Sequence, residues 1–131
     1  MKIHSQNSAC PIARTLEIVG DHWTLVILRD LFMGKSRFQE FLDSPEAIGA
    51  SILTQRLKRL EKNGLVARSP YQFKPTRYQY HLTEAGVDVL PILQSLARWA
   101  LRHIPQVWQP PQGFFELTPE SWRSWRQSLK S

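Results

Sequence analysis

Apolar positions along this chain recur at helical spacing in six stretches and at strand spacing in one hairpin. Ile12, Leu16 and Val19 fall at i, i+4 and i+7 after Pro11, whose missing N–H costs nothing at a first helical position; Gly20 ends that run. Asp21 reads as the N-cap of a second helix, Trp23 to Phe32. Leu25, Leu28, Leu31 and Phe32, widened by Val26 and Ile27, make it apolar nearly all round, which predicts a central position; Gly34 stops it. Ser36 reads as the N-cap of a short third helix, Arg37 to Leu42, with Phe38, Phe41 and Leu42 inward, and Asp43-Ser44-Pro45 is turn chemistry.

The next stretch organises the rest. Leu53, Leu57 and Leu60 form one narrow apolar stripe on a helix that ends at Asn63-Gly64, where glycine adopts the left-handed cap conformation at low cost. Ser51, Thr54, Gln55, Lys58 and Lys62 project away from the leucines and offer hydroxyl, amide and ammonium groups, the types that read base edges and hold phosphates. Two β-branched and aromatic runs follow, Leu65 to Arg68 and Arg77 to Leu82, separated by Pro70, Lys74 and Pro75, which predicts a hairpin with a basic tip. A helix with this outer face followed by a basic hairpin is the core of a winged helix-turn-helix. The expected fold class is mainly α with a small β-hairpin wing and a long C-terminal dimerisation helix.

That long helix is expected from Thr83, its cap, to about His103. Leu90, Leu93, Ala97, Ala100 and Ile104 form one stripe along it; Val89, Ile92, Leu96 and Trp99 form another. An arc this wide needs two partners, its own domain and, most simply, the same helix of a second subunit. Pro91 removes the bond to the Val87 carbonyl and predicts a kink. Beyond Pro105 and a Pro110–Gly113 linker, Thr118-Pro119 opens a helix to Lys130, with Trp122, Trp125 and Leu129 at i, i+3 and i+7. With Phe114 and Phe115, this tail is too apolar to float free.

Charge strengthens the nucleic-acid reading. Residues 48–82 hold Arg56, Lys58, Arg59, Lys62, Arg68, Lys74 and Arg77 against the single acid Glu61, a local excess equal to the whole chain's formal +6. Positive charge concentrated on one structured motif attracts a polyanion. The blander reading, a solvated helix face, does not account for the clustering. A length of 131 residues fits one domain. No apolar run is long enough to span a membrane, and the polar N-terminus lacks the apolar segment of a signal peptide, so the expected compartment is the cytoplasm.

Catalytic and metal chemistry find no support. His4, His22, His81 and His103 are scattered without ligand spacing; no glycine-rich phosphate loop, paired-carboxylate site or nucleophile with a base is evident. The expectation is no enzyme, no metal and no cofactor. Cys10, the sole cysteine, cannot form an internal disulfide.

The ordered motifs Cys10-Pro11-Ile12, Leu28-Arg29-Asp30-Leu31, Arg37–Phe41, Leu53–Leu57, Leu60–Val66, Arg77–Thr83 and Trp99 resemble those of the HxlR-type transcriptional regulators, relatives of the MarR winged-helix group. The likeness runs from about Cys10 to Ile104, leaving residues 1–8 as a flexible arm and 105–131 as an extension of a single domain. It implies a homodimeric bacterial transcription factor, a winged helix per subunit, a palindromic operator and no catalysis. Ala100 stands where the family usually has glycine after the helical tryptophan.

The family commonly has a cysteine before this proline, and some members use it to sense oxidants or electrophiles. A thiol at a helix N-terminus lies in positive potential, which favours the reactive thiolate; the alternative is a buried cysteine acting as a small hydrophobe. With one cysteine, a switch requires an intersubunit disulfide, a mixed disulfide or alkylation.

The expected DNA-binding set is Lys35, Ser36, Arg37, Ser51, Thr54, Gln55, Arg56, Lys58, Arg59, Lys62, Lys74 and Arg77. The expected dimer interface is Leu90, Leu93, Ala97, Trp99, Ala100 and Ile104. The partners expected are double-stranded operator DNA and a second copy, with an oxidant or electrophile acting on Cys10 or a small-molecule inducer as candidate signals; a ligand pocket at the dimer interface lined by Trp23 and Trp99 is weighed against plain core packing, which is favoured. The alternative function is a winged helix used as a protein-interaction module; the polar outer face at Ser51, Thr54, Gln55 and Lys58 argues against it, since docking helices more often present aromatics or leucines.

Overall fold

The computed structural model describes residues 8–128. Most of the expected N-terminal arm, with His4, and residues Leu129 and Lys130 of the expected last helix lie outside the described residues. The chain divides into two compact units, with the boundary between Gly86 and Val87.

The first unit contains α1 (Pro11–Val19), α2 (Thr24–Phe32), α3 (Phe38–Leu42), α4 (Ala50–Lys62) and the hairpin β1 (Val66–Gln72) and β2 (Arg77–Leu82). Its buried apolar side chains include Ile27, Leu28 and Leu31 of α2, Phe41 of α3, and Leu53, Leu57 and Leu60 of α4. Full burial of each such leucine contributes about 1.5–3 kcal/mol. Helix α4 neighbours α3 and β1, and α2 neighbours β2. The fold is the expected one: mainly helical with a two-stranded antiparallel wing.

Several boundaries move, each for a local reason. Asp21 does cap the second helix, accepting the Trp23 and Thr24 N–H groups at 3.1 Å, but Trp23 belongs to the entering turn and α2 starts at Thr24. Ser36 is not the cap of α3: Arg37 occupies that position with extended backbone, and the Glu40 carboxylate accepts both the Ser36 and Arg37 N–H at 2.9 Å. Ser36 is left free to pair with the wing. Its carbonyl accepts the Tyr80 N–H at 2.7 Å and Arg37 bridges Gln79, so this segment lies along β2 like a third strand. Strand β1 runs through Pro70, which pairs with Tyr78 just before an irregularity in register; a hairpin strand has a free edge on which a missing donor is tolerated.

Helix α4 ends as expected. Leu65 N–H reaches the Leu60 carbonyl at 3.0 Å and Gly64 N–H the Glu61 carbonyl at 3.1 Å, with Gly64 at φ +78°. This is the Schellman arrangement, which a side chain at Gly64 would strain. Gly86 is constrained differently: a Cβ there would lie 2.1 Å from the Leu65 carbonyl oxygen.

The expected long helix is two. Thr83 caps α5 (Glu84–Val87), accepting the Gly86 N–H at 3.2 Å. Helix α6 (Leu90–His103) then restarts with Pro91 in its first turn. Proline has no N–H to continue the earlier ladder but is well suited to open a new one, so the chain breaks where a kink was expected.

In the second unit the extension folds back on α6. The Gln94 side chain, 5% exposed, donates from Nε2 to the Phe114 and Leu117 carbonyls at 2.9 and 2.8 Å, across a single 3-10 turn (Phe114–Glu116). The Arg98 guanidinium sits 4.9 Å from the Phe115 ring centre. Thr118 caps α7 (Pro119–Ser128), its Oγ1 accepting the Ser121 N–H at 3.1 Å, and Trp122 is buried.

Candidate nucleic-acid interface

With Leu53, Leu57 and Leu60 buried, the 100° advance of α4 turns Ser51, Thr54, Gln55, Lys58 and Lys62 to solvent, as the sequence implied. Ser51, Ile52, Thr54, Gln55 and Lys58 line one shallow groove on this face. Ile52 escaped the sequence reading. It is exposed and supplies an apolar contact of the kind that reads a thymine methyl; its position off the leucine stripe was the available signal. The Thr54 hydroxyl donates to the Ala50 carbonyl at 2.9 Å and keeps its acceptor capacity outward.

The basic residues divide into free and engaged. Lys58 and Lys62 on α4, and Lys74 and Arg77 in the hairpin, are exposed and make no ion pair among the described residues. Arg37 is exposed with its guanidinium 3.7 Å from the Tyr71 ring centre, so the wing holds it in place. Lys35 is less available: its ammonium donates to Ser44 Oγ at 2.7 Å.

Arg56 and Arg59 do not join the outward set. Arg56 Nε donates to Asp21 Oδ2 at 2.9 Å, and Arg59 lies 3.8 Å from Asp21 Oδ1 while donating to the Glu17 carbonyl. Both arginines tie α4 to the corner between α1 and α2. Burial alone would raise the Asp21 carboxyl, but hydrogen bonds from Thr24 and Arg56 and the Trp23 and Thr24 N–H groups outweigh it and hold it below the usual carboxylate range.

The loop from α3 into α4 is clamped from the other side. Arg29 donates to both Glu46 carboxylate oxygens at 2.7 and 2.8 Å and to Asp30 at 2.8 Å. Ser44 donates to the buried Asp30. The Arg29 hydrogen bond holds Glu46 down at about 2. Neither this clamp nor the Asp21 node was foreseen, because each joins residues far apart in sequence.

The expected dimer residues are placed unevenly. Leu90 is fully buried within its own chain and has no surface to offer a partner. Leu93, Ala97 and Ala100 are half-buried, whereas Trp99 and Ile104 are exposed. Leu96, assigned to the other stripe, is 51% exposed, and Pro91, Ile92, Ser95, Leu96 and Trp99 form an open apolar groove. On α1, Ile12 and Leu16 are also exposed. Cys10 is exposed with extended backbone immediately before α1, so it is not a buried hydrophobe within this chain. The Trp23 ring meets His22 edge-on. No cluster of metal-ligating side chains occurs among the described residues, and no helix there is long and apolar enough to cross a membrane.

A family model described as HxlR-like helix-turn-helix matches residues 18–107. An uncharacterised HTH-type transcriptional regulator of Mycobacterium tuberculosis, Rv3095, is 40% identical over 100 residues, 76% of this chain; the match spans 63% of that relative's length. Among solved structures, PA1607, described as a candidate transcription factor, superposes with a TM-score of 0.72 at 32% identity, over 82% of this chain and 75% of that one. The redox regulator HypR in its reduced form superposes at 0.67 and 31% identity, over 73% of this chain and 95% of that one. The named relatives are transcriptional regulators, and no catalytic family is indicated.

Proposed function

The chain belongs to the HxlR-like helix-turn-helix family of transcriptional regulators, and on that premise we propose that it binds duplex DNA sequence-specifically as a homodimer on a palindromic operator. Helix α4 enters the major groove, with Ser51, Ile52, Thr54, Gln55 and Lys58 toward base edges. Lys62, Arg37, Ser36 and the wing residues Lys74 and Arg77 hold phosphates. The carrying observation is the joint one: a groove on α4 lined by Ser51, Ile52, Thr54, Gln55 and Lys58, flanked by cations that no acid among the described residues neutralises. A two-fold dimer places its recognition helices about 34–36 Å apart, one turn of DNA. The apolar groove on α6 supports the self-association. Selection from a random duplex pool at moderate salt tests this: a palindromic consensus is expected, and a pool that yields none refutes it.

Control through Cys10 is the second part of the reading. It is supported by the thiol's exposure at the start of α1 and by the likeness to a redox regulator. Oxidation to a mixed or intersubunit disulfide, or alkylation, would add bulk beside α1 and shift one recognition helix against the other. Fixed half-site spacing makes affinity sensitive to such a shift.

A further inference from the structure

Gln55 stands on the outer face of α4 with its amide oxygen already engaged. Arg56 Nη1 donates to Gln55 Oε1 at 2.8 Å, while Arg56 Nε donates to Asp21 Oδ2 at 2.9 Å. A guanidinium has five donors and no acceptor, so the amide atom beside it must be the oxygen. The arginine is itself fixed: its ion pair with Asp21 is largely shielded, and the same carboxylate is anchored by Thr24 and two backbone N–H groups. A hydrogen-bonded chain thus runs from the α1–α2 corner, through a planar fork, to the one amide side chain among those lining this face, a type that can read a base edge bidentately.

We propose that Asp21 and Arg56 are specificity-determining positioning residues that lock Gln55 with its amide NH2 outward, so that the operator base it meets is guanine rather than adenine. The inference rests on the DNA-binding reading above. An outward NH2 finds two adjacent acceptors, N7 and O6, on the major-groove edge of guanine. Adenine keeps the N7 acceptor but sets its N6 amino group against the NH2, donor against donor, and thymine offers O4 alone. The usual pairing of glutamine with adenine needs the amide oxygen as an acceptor beside the nitrogen, and Arg56 draws that oxygen away from the groove. Cytosine, which presents a donor, ranks last.

The experiment is consensus selection from a random duplex pool with wild type, Gln55→Ala, Arg56→Leu, Arg56→Lys and Gln55→Glu, each first checked for a cooperative melt. Gln55→Ala identifies the contacted position as the one whose preference disappears. Wild type is expected to hold guanine there, and Arg56→Leu to lose roughly tenfold in guanine-over-adenine discrimination at that position while the rest of the consensus stands. Lysine keeps the charge but not the fork, so Arg56→Lys should fail to restore discrimination; a residue serving only as a phosphate contact would be rescued. Gln55→Glu keeps an acceptor for Arg56 and presents only an acceptor outward, so the preferred base should become cytosine; this arm stands even if the Arg56 variants do not fold. Adenine at the Gln55 position in wild type, or a consensus unchanged by Arg56→Leu, overturns the lock and leaves DNA binding intact. The absence of any wild-type consensus overturns both.

Discussion

Replacing Gln94 by alanine removes the polar anchor of the C-terminal extension. Its amide is almost fully buried and donates to the Phe114 and Leu117 carbonyls at 2.9 and 2.8 Å. Each neutral hydrogen bond contributes about 1 kcal/mol net, so the pair contributes about 2 kcal/mol; a carbonyl left dry adds about 1–3 kcal/mol more. A loss of about 2 kcal/mol corresponds to roughly 30-fold in the opening equilibrium. Helix α7 has ten residues, too few to stand alone in water, so the extension should open as a unit. Amide hydrogen exchange across residues 114–127 should therefore accelerate by roughly 30-fold or more in Gln94→Ala, with α4 affected far less. Gln94→Glu sharpens the test. A carboxylate facing two carbonyl oxygens is worse than alanine at neutral pH, and protonation in acid restores one donor, so its protection should rise as pH falls. Exchange in Gln94→Ala indistinguishable from wild type would refute this account of how the extension is held.

Four further outcomes are expected. Lys74→Ala should weaken binding to all duplexes alike and reduce the salt slope by about one, read by titration at several salt concentrations. Leu96→Glu should give a folded monomer by light scattering, and a wild type that is itself monomeric at micromolar concentration counts against the dimer. Glu46 titrates near 2 instead of 4.5, so its stabilising contribution is complete above about pH 4.5 and is lost as pH falls toward 2; melting temperature should fall less steeply through that window in Glu46→Gln than in wild type, and parallel curves would contradict this. Diamide or a quinone should change operator affinity of wild type but not of Cys10→Ser; an equal response in both removes Cys10 from the signal.

Much of the fold was legible because its causes are local. The leucine stripe of α4, the left-handed turn at Gly64, the caps at Thr83 and Thr118 and the alternating wing strands depend on residues within a few positions of one another. The outward polar face of α4 follows directly from the buried one, since helical geometry leaves no choice once the leucines go inward. Boundaries moved where two local solutions competed, as when the Glu40 side chain turned back to accept the Ser36 and Arg37 N–H groups just ahead of α3 and Arg37, not Ser36, took the cap position.

What the chain's own order determined, then, is the set of elements and which face of each is apolar. Tertiary structure alone decided which of several equivalent groups is used. Arg56 and Lys58 are two residues apart and both basic, yet Arg56 is drawn inward by an aspartate 35 positions earlier while Lys58 stays free. Leu90 and Leu96 lie on one helix, yet the first is buried and the second half-exposed. Gln94 interrupts an apolar run like any surface glutamine, and only the return of residues 114–117 gives its amide two carbonyls to bind. Charge pairing and burial depend on distance in space, and no period in the sequence encodes that distance.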